Sequence, residues 1–429
     1  MTHANDPGSA ASASGSRKTR WLRRVGLLAG LLALLAAVAI LAPPLEHFMN
    51  RVEPGPLPEV SPQAARLHDA AFVVDLHADS LLFGRDLSRR SDTGHVDLPR
   101  LREGGVGLQV FAAPTVVPLG MDMERTSSNA LDMLDWAGDL LRPGLGRSSP
   151  MQRALMIAQA LEVLARESGG RLVVVRSRED LRELQEARSE DPGTVGAVLA
   201  IEGAHAMEGD PDNLQVLFEA GYRIVGLTHF FDNAYAGSAH GEAKGGLSPL
   251  GRQTLAEMQS LGMLADIAHL SPRATHELLD QASTPVVFSH GGVKGTCDNT
   301  RNLSDAMLQR VADGGGVVGI GYWDWATCGT APEDVARAVR YVIDTVGDDH
   351  AALGSDYDGG VSVSFDTSKL SVLTQAMLDA GIPEPSIRKV LGENALRVLD
   401  LGLPWEGDAK PASQSRSMPA RRGQRASTG

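Results

Sequence analysis

The stretch Phe72-Val-Val-Asp-Leu-His-Ala-Asp-Ser80 is a short apolar run that ends in two polar residues able to bind a metal ion, His77 and Asp79. Side chains two residues apart in a β-strand lie on the same face, so this imidazole and this carboxylate can reach one cation. One such strand end is weak evidence, because a buried strand often ends in a hydrogen-bonded histidine. The stretch gains weight because four later apolar runs also end in His or Glu.

Eight apolar runs of strand length follow one another along the chain, and loop residues and then a helical pattern follow each run. Within them Val, Ile, Leu and Ala are continuous rather than alternating with polar residues, as is typical of parallel strands covered by helices on both faces. Eight such units predict an α/β fold, a (β/α)8 TIM-like barrel. The runs are 72–77, 106–111, 195–202, 223–229, 262–269, 285–290, 316–322 and 351–356, and a ninth short run, 171–175, is expected to lie outside the barrel.

Residues 25–42 are uncharged and almost wholly apolar, and the basic group from Arg17 to Arg24 precedes them. A helix of this length just reaches across a bilayer, and the flanking cations favour leaving its amino end in the cytoplasm. The pattern predicts an uncleaved single-pass transmembrane anchor with the body on the extracytoplasmic side. A signal peptide cleaved near Ala37-Val-Ala39, which would give a secreted or periplasmic protein, is the alternative, and both export the body.

Composition divides the chain into five parts. They are a disordered basic leader (1–24), the transmembrane signal-anchor (25–42), a Pro-rich extended tether (43–64), the barrel domain (65–404) and a disordered tail (405–429). The formal net charge is −13 and both ends are net basic, so the body between them is more acidic still. This charge excludes nucleic acid as a partner of the body. The long connection 113–170 is expected to form one wall of the site.

Polar residues at the ends of the apolar runs would meet at one mouth of the barrel, because the carboxyl ends of its strands converge there. They are His77, Asp79, Glu202, His229, His269, His290 and Asp356. Two metal ions fit this set, since four of the side chains give two ligands to each ion and Glu202 can bridge them. Imidazole and carboxylate together suit zinc, which predicts two Zn2+ per chain. Two such ions activate a water and polarise a carbonyl, the chemistry of amide hydrolysis.

The same residues resemble the membrane dipeptidase (renal dipeptidase) family of zinc peptidases, peptidase family M19, in the wider amidohydrolase group. The matching motifs lie in order between about residues 65 and 400. They are Val74-Asp-Leu-His-Ala-Asp79, Asp97-Leu-Pro-Arg-Leu-Arg-Glu-Gly-Gly-Val-Gly107, Ile201-Glu-Gly-Ala-His205, Gly226-Leu-Thr-His229, Asp266-Ile-Ala-His-Leu-Ser271, Val287-Phe-Ser-His290, Thr300-Arg-Asn302 and Gly354-Ser-Asp-Tyr-Asp-Gly359.

The resemblance implies a role for each matching residue. It implies one zinc ion held by His77, Asp79 and Glu202 and a second held by Glu202, His269 and His290. It also implies three substrate contacts. His229 steadies the oxyanion, Arg301 pairs with the substrate carboxylate, and Asp356 contacts the substrate amine and passes a proton to the leaving nitrogen. Asp358 stays an alternative proton carrier.

Other positions carry smaller expectations from the resemblance. Cys297 and Cys328 lie close to a bonded pair of the family and are expected to form a disulfide. Either Tyr322 or Trp325 replaces a family tyrosine beside the substrate carboxylate. His205 is expected to orient a ligand, whereas His95 and His240 read as ordinary loop histidines.

The expected function is therefore hydrolysis of dipeptides with free amino and carboxyl ends, with L,L and L,D substrates both open. An alternative is another amidohydrolase with a non-dipeptide substrate. Many of those enzymes use His-x-His and a carboxylated lysine, whereas this chain has His77-x-Asp79 and no lysine at a strand end. A non-enzymatic tethered binding protein would require lost ligands, and none is lost. The sequence is also compatible with a homodimer.

Overall fold

A computed structural model of the chain describes residues 21, 22, 24, 25, 45–53 and 55–405. The chain divides into two units, Met1–Leu45 and Glu46–Gly429. In the first unit Trp21, Leu22 and Val25 are exposed. The predicted anchor at 25–42 lies outside the described residues except for Val25. Within the described part of the chain, no helix is both long and apolar enough to cross a membrane.

Eight parallel strands close into a barrel in the second unit, in chain order, which confirms the predicted (β/α)8 architecture. Closure follows because the last strand pairs with the first at Leu353 and Asp75. We label the strands β1 to β8: Val73–Ala78, Val106–Pro114, Val195–Glu202, Tyr222–Gly226, Leu264–Asp266, Val287–Phe288, Val317–Ile320 and Ala351–Leu353. A ninth strand, Leu172–Val174, pairs with the first residues of β3 and lies outside the ring, as the sequence predicts.

Helices cover the outside of the barrel. In the part of the chain that the structure describes they are Leu45–Met49, Pro62–Asp69, Leu98–Glu103, Met133–Leu141, Pro150–Glu167, Arg178–Glu190, Asn213–Glu219, Pro249–Leu261, Pro272–Leu279, Asp305–Asp313, Asp324–Thr327, Pro332–Val346, Ser371–Asp379, Glu384–Arg388 and Asn394–Gly402. A π-helical turn, Lys389–Glu393, joins the last two. Several helices begin at a serine cap followed by proline, for example Ser149 before Pro150–Glu167, which satisfies free N–H groups of the first turn.

The strands are buried along their whole length because their continuous apolar runs face side chains inside the barrel and helices outside it. The core cluster includes Val74, Val110 and Val198 from the strands, together with Val398 and Leu399 from the last helix. The carboxyl ends of the strands are therefore set in a rigid, close-packed wall.

The long connection after β2 is tied to the barrel by Arg153, which is fully buried. Its guanidinium donates to the carbonyl oxygens of Thr115 at 2.9 Å and Leu145 at 3.1 Å. It also forms ion pairs with Asp132 and Asp135. These contacts fix the start of the connection beside the carboxyl end of β2.

The stretch predicted as a tether, 43–64, contains three elements that contact the barrel domain. The helix Leu45–Met49 does so through Glu46, which forms an ion pair with Arg85. A short strand, Arg51–Val52, pairs in parallel with Ser362–Val363, which follows β8. Pro62–Asp69 begins inside the same stretch, with Ser61 as its cap. The chain is extended around residue 51, as its prolines suggest, but it is paired there rather than free.

Close packing at the carboxyl end of β8 gives a test of the barrel geometry. A Cβ at Gly354 would lie 1.8 Å from the carbonyl oxygen of Ser289, so Gly354→Ala must displace backbone. We expect the free energy of unfolding to fall by about 3 kcal/mol, the upper end of the usual cost of overpacking. Denaturant unfolding monitored by circular dichroism measures it. Gly245→Ala is the control because nothing lies within 4 Å of its Cβ position, and equal stabilities of the two variants would contradict this packing.

Candidate active site

The eight predicted site residues lie together at the carboxyl end of the barrel, and all are buried: His77, Asp79, Glu202, His229, His269, His290, Arg301 and Asp356. Seven of them line one cavity of about 700 Å3. His77 lies in the wall beneath the other seven, with its Nε2 3.5 Å from Asp79 Oδ1. The structure thus brings together residues that are nearly 300 positions apart.

Glu202, the last residue of β3, lies at the centre of the group. Its Oε1 is 3.0 Å from Nε2 of His269, 3.4 Å from Nε2 of His290 and 3.5 Å from Nε2 of His77. Its Oε2 is 3.5 Å from Nε2 of His229. One carboxylate therefore reaches four imidazoles that come from four different strand ends.

Two of these residues have unusual backbone conformations. His269 and Asp356, which follow β5 and β8, have φ angles of 63° and 60°. A residue other than glycine rarely adopts this left-handed region, and the strain is concentrated at functional sites. Both side chains line the cavity.

The carboxylates are held in an environment that disfavours their ionised forms. Burial raises the pKa of Glu202 well above its ordinary value, and the charge of Asp79 raises it further. Burial also raises the pKa of Asp356 to about 8, against the opposing effect of His77. A cation placed among these groups would restore their ionised forms.

The histidines divide into two kinds. Burial lowers the pKa of His77, but the carboxylates of Glu202 and Asp79 outweigh burial and raise it to about 10. Burial lowers the pKa of both His269 and His290 well below the ordinary value, and neighbouring positive groups lower it further. Neutral imidazole is the form of histidine that binds metal.

Buried polar atoms without a partner support a metal site. His77 Nε2, Asp79 Oδ1 and Glu202 Oε2 are buried and have no hydrogen-bond partner, an arrangement that is costly unless a ligand completes it. Three groups of side chains bring their donor atoms within 4.8 Å of one another: His77 with Asp79 and Glu202, Glu202 with His229 and His269, and His77 with Asp266 and His290. The donor set of imidazoles and carboxylates is the one that zinc prefers.

Two residues that the sequence analysis did not single out hold the histidines in place. Ser289 Oγ donates to Asp266 Oδ2 at 2.6 Å and lies 2.8 Å from Nδ1 of His290 and 3.3 Å from Nδ1 of His77. Because its one proton is given to Asp266, the hydroxyl accepts from both rings, which leaves each Nε2 free to bind a cation. The available signal was their position, one and three residues before His290 and His269.

The structure separates the two candidate proton carriers. Asp358 accepts from Ser80 Oγ at 2.5 Å and from the N–H of His95 at 2.6 Å, and it forms an ion pair with Arg85. Burial opposes ionisation of Asp358, but Arg85 and these hydrogen bonds lower its pKa. Both aspartates line the cavity, but Asp358 is held by these partners, whereas Asp356 Oδ1 lies 4.0 Å from Nε2 of His77.

His95, His240 and His205 do not line the cavity. His95 Nδ1 accepts from the N–H of Asp358 at 3.0 Å. His240 stacks on Phe230 and donates to the carbonyl of Met123 at 2.7 Å. Both ring nitrogens of His205 are without a hydrogen-bond partner, so the structure shows no bond through which it would orient a ligand.

The aromatic residues after β7 differ in whether they reach the cavity. Trp323 and Trp325 line the cavity, whereas Tyr322 is fully buried and packs against Tyr357. The expected disulfide between Cys297 and Cys328 is present. It connects the loop after β6, which carries Arg301, to the end of the helix Asp324–Thr327, which contains Trp325 and directly follows Trp323.

Comparison with known proteins gives consistent matches. The sequence profile described as membrane dipeptidase (Peptidase family M19) matches residues 61–401. Dipeptidase tcpJ of Claviceps purpurea (strain 20.1) is 30% identical over 315 residues, which cover 71% of this chain and 69% of that protein. Dipeptidase verJ of Clonostachys rogersoniana is 30% identical over 313 residues, 71% of this chain and 75% of that protein.

Solved structures are similar over most of the chain. A metallo peptidase from Rhodobacter sphaeroides, liganded with a phosphinate mimic of the dipeptide L-Ala-D-Ala, superposes with a TM-score of 0.64 and 26% identity, covering 77% of this chain and 99% of that one. The dipeptidase AC, a metallo peptidase of family M19, has the same TM-score of 0.64 and 26% identity, covering 78% and 99%.

The hydroxyl shared by two histidines leads to a prediction about metal affinity. We expect Ser289→Ala, and likewise Asp266→Asn, to weaken zinc binding by about 10 to 100-fold, because the imidazoles lose the partner that orients them. Competition with a chromogenic zinc chelator measures this without any substrate. Ser260→Ala, an exposed serine on Pro249–Leu261, is the control. An unchanged dissociation constant in the Ser289 and Asp266 variants would show that these contacts do not support the ligands.

Proposed function

Because the chain belongs to the membrane dipeptidase family, peptidase family M19, we propose that it uses two zinc ions to hydrolyse dipeptides whose amino and carboxyl ends are both free. Membership makes the protein a metallo-dipeptidase. The single observation that carries the finer proposal is the position of Glu202, whose two oxygens lie within 3.5 Å of four imidazole nitrogens. A carboxylate in that position suits a bridge between two cations.

Two sets of ligands follow from the distances. His77 and Asp79 would hold one ion together with Glu202, since their donor atoms lie within 4.8 Å of one another. His269 and His290 would hold the other with the same glutamate, because their Nε2 atoms lie 3.0 Å apart and within 3.4 Å of Oε1. When bound, the two ions would supply Lewis acidity and activate a water for attack on the amide carbonyl.

Arg301 supports recognition of a substrate carboxylate. It is buried, and its guanidinium is held by a 2.5 Å bond to the carbonyl of His290 and by the face of Phe288. Among the described residues it has no ion pair within 4.0 Å, so it is a desolvated cation in the cavity wall that an incoming carboxylate would pair with.

The substrate amine and the reacting carbonyl would meet two other groups. Asp356 faces the cavity and would bind the free amine and carry a proton to the leaving nitrogen. His229 is oriented because its Nδ1–H donates to the carbonyl of Val116 at 3.3 Å. Burial lowers the pKa of His229 well below its ordinary value, so its Nε2, 3.5 Å from Glu202, would have to gain a proton during the reaction in order to donate to the oxyanion that develops on the carbonyl.

We also propose that residues 25–42 anchor the protein in a membrane with the catalytic domain on the extracytoplasmic side, or are removed as a signal peptide. The support is the apolar run itself and its basic flank. The disulfide between Cys297 and Cys328 agrees with export, since such bonds persist in oxidising compartments.

Replacement of the central carboxylate tests the dinuclear site. We expect close to two zinc ions per chain in the wild-type protein by mass spectrometry of metals, and we expect Glu202→Gln to lower kcat/KM for an L,L dipeptide by several orders of magnitude, because one neutral amide cannot hold two cations.

The matched control is Glu186→Gln, an exposed residue of Arg178–Glu190. Retention of more than about a tenth of kcat/KM in Glu202→Gln, a loss of under about 1.4 kcal/mol, would contradict the assignment. A reproducible content near one ion with full activity would exclude the dinuclear reading.

Recognition of both charged ends gives a second test. We expect dipeptides to be cleaved far faster than the same dipeptides with a C-terminal amide, since an unpaired buried charge costs several kcal/mol. Arg301→Ala should reduce this preference mainly by slowing the free acid. Arg301→Lys should restore it only in part, because an ammonium cannot make the two-pronged contact.

Steady-state kinetics on the paired substrates measure the preference, with the exposed Arg166→Ala as the control. Equal kcat/KM for amide and free acid, or equal cleavage of tripeptides, would rule out a dipeptidase that reads both ends, even with both zinc ions bound.

A further inference from the structure

The residues Glu46–Glu53 precede the region that the family profile matches, 61–401, yet they contact the loop that carries Asp356. We call this stretch the N-terminal segment, and we call residues 356–360 the Asp356 loop. Met49 and Glu53 of the segment line the same cavity as the predicted zinc ligands. The segment is therefore part of the wall of the active site.

A buried chain of charges connects the segment to the loop. Glu46 is only 5% exposed, and its Oε1 accepts from Arg85 Nε at 2.6 Å. The same guanidinium forms an ion pair with Asp358, which is two residues after Asp356. Since Arg85 also donates to the carbonyl of Val96, Glu46 completes a fixed set of partners around this cation.

Three further contacts hold the loop from its other side. Asn50 Oδ1 accepts from the N–H of Gly360 at 2.8 Å. Met49 Cε lies 3.8 Å from where a Cβ of Gly360 would stand. The N–H of Glu53 donates to the carbonyl of Val363 at 2.8 Å, which extends the strand pairing that begins at Arg51. The N-terminal segment thus contacts the loop directly at Gly360, pairs with the chain just after it at Val363, and reaches Asp358 through Arg85.

We propose that the N-terminal segment has two roles in the active site. It positions Asp356, and through Met49 it forms the wall that contacts the side chain of the substrate's N-terminal residue. This inference rests on the proposed function, in which Asp356 binds the substrate amine. The Cα next to that amine bears the N-terminal side chain, which must therefore leave along the wall beside Asp356. Met49 and Val361 lie on that wall.

The chemistry of the wall indicates which side chains it takes. Methionine is flexible and polarisable, so it adapts to apolar side chains of different shapes. Neighbouring Gly359 and Gly360 present backbone rather than side chains and leave room beside it. The substrate class is therefore dipeptides with an apolar N-terminal side chain, such as that of leucine or methionine.

Two variants of the full-length chain test the two roles. For specificity, Met49→Ala should lower kcat/KM for Leu-Gly about 5 to 10-fold and change kcat/KM for Gly-Leu less than about 2-fold, because only the first substrate places a large side chain on this wall. Met156→Ala, a half-buried methionine outside this cavity, is the matched control. Equal losses on both substrates, or no loss on either, would overturn the specificity role.

For positioning, Glu46→Gln should lower kcat about 10-fold on both dipeptides and raise KM as well, because the loop that carries Asp356, which both binds the amine and carries the proton, loses its fixed partner. Glu59→Gln, an exposed glutamate shortly after the segment, is the control. Assays are made well below the unfolding midpoint of the variant, measured separately. A variant that is less stable but has normal kcat there would show that Glu46 only supports the fold.

The design separates this inference from the proposed function. If the wild-type protein, loaded with zinc, hydrolyses neither dipeptide, the proposed function is wrong. If it hydrolyses both and the Met49 and Glu46 variants behave as their controls, the N-terminal segment has no role in the reaction and the proposed function stands.

Discussion

The burial of several ionisable groups around one carboxylate is the constraint on which the structure depends. Glu202 lies in a cavity with other acids and with histidines. Burial raises the pKa of Glu202 and lowers the pKa of His269. Such a group of desolvated charges is unfavourable unless its members are held rigidly and completed by a ligand. The barrel supplies the rigidity, since β3 pairs with β2 in unbroken register from Leu108 and Gly196 to Pro114 and Glu202.

Hydrogen bonds from residues next to the cluster orient its imidazoles. Ser289, held by Asp266, orients two imidazoles that come from strands far apart in the sequence. His269 and Asp356, which both line the cavity, have the left-handed backbone conformation that is concentrated at functional sites. The unfavourable free energy of this strain and burial is confined to the carboxyl end of the barrel, and burial of the apolar core beneath it offsets it.

Much of this arrangement could be predicted from the sequence because chain direction fixes it. In a closed parallel barrel every strand ends at the same mouth, so His77, Glu202 and His290 had to meet once the eight runs were recognised. The hydroxyl of Ser289 and the contacts of Glu46 could not be predicted, because they depend on side-chain geometry between distant segments. The prolines after Arg51 indicate extended chain correctly, but no local pattern shows that an extended chain will pair with Ser362–Val363.

The net charge of the whole protein would not select the proposed substrate, whereas the charged groups inside the site would. A dipeptide with both ends free is a zwitterion without net charge, so the strongly acidic body neither attracts nor repels it at a distance. In the proposed function, selection would then come from contacts inside the cavity, where Arg301 is a buried cation without an ion pair among the described residues and Asp356 is a buried acid. Each of these groups is disfavoured alone, and a ligand with opposite charges at a fixed spacing relieves both at once. The same two groups would penalise a blocked or longer peptide, since one of them would remain desolvated and unpaired.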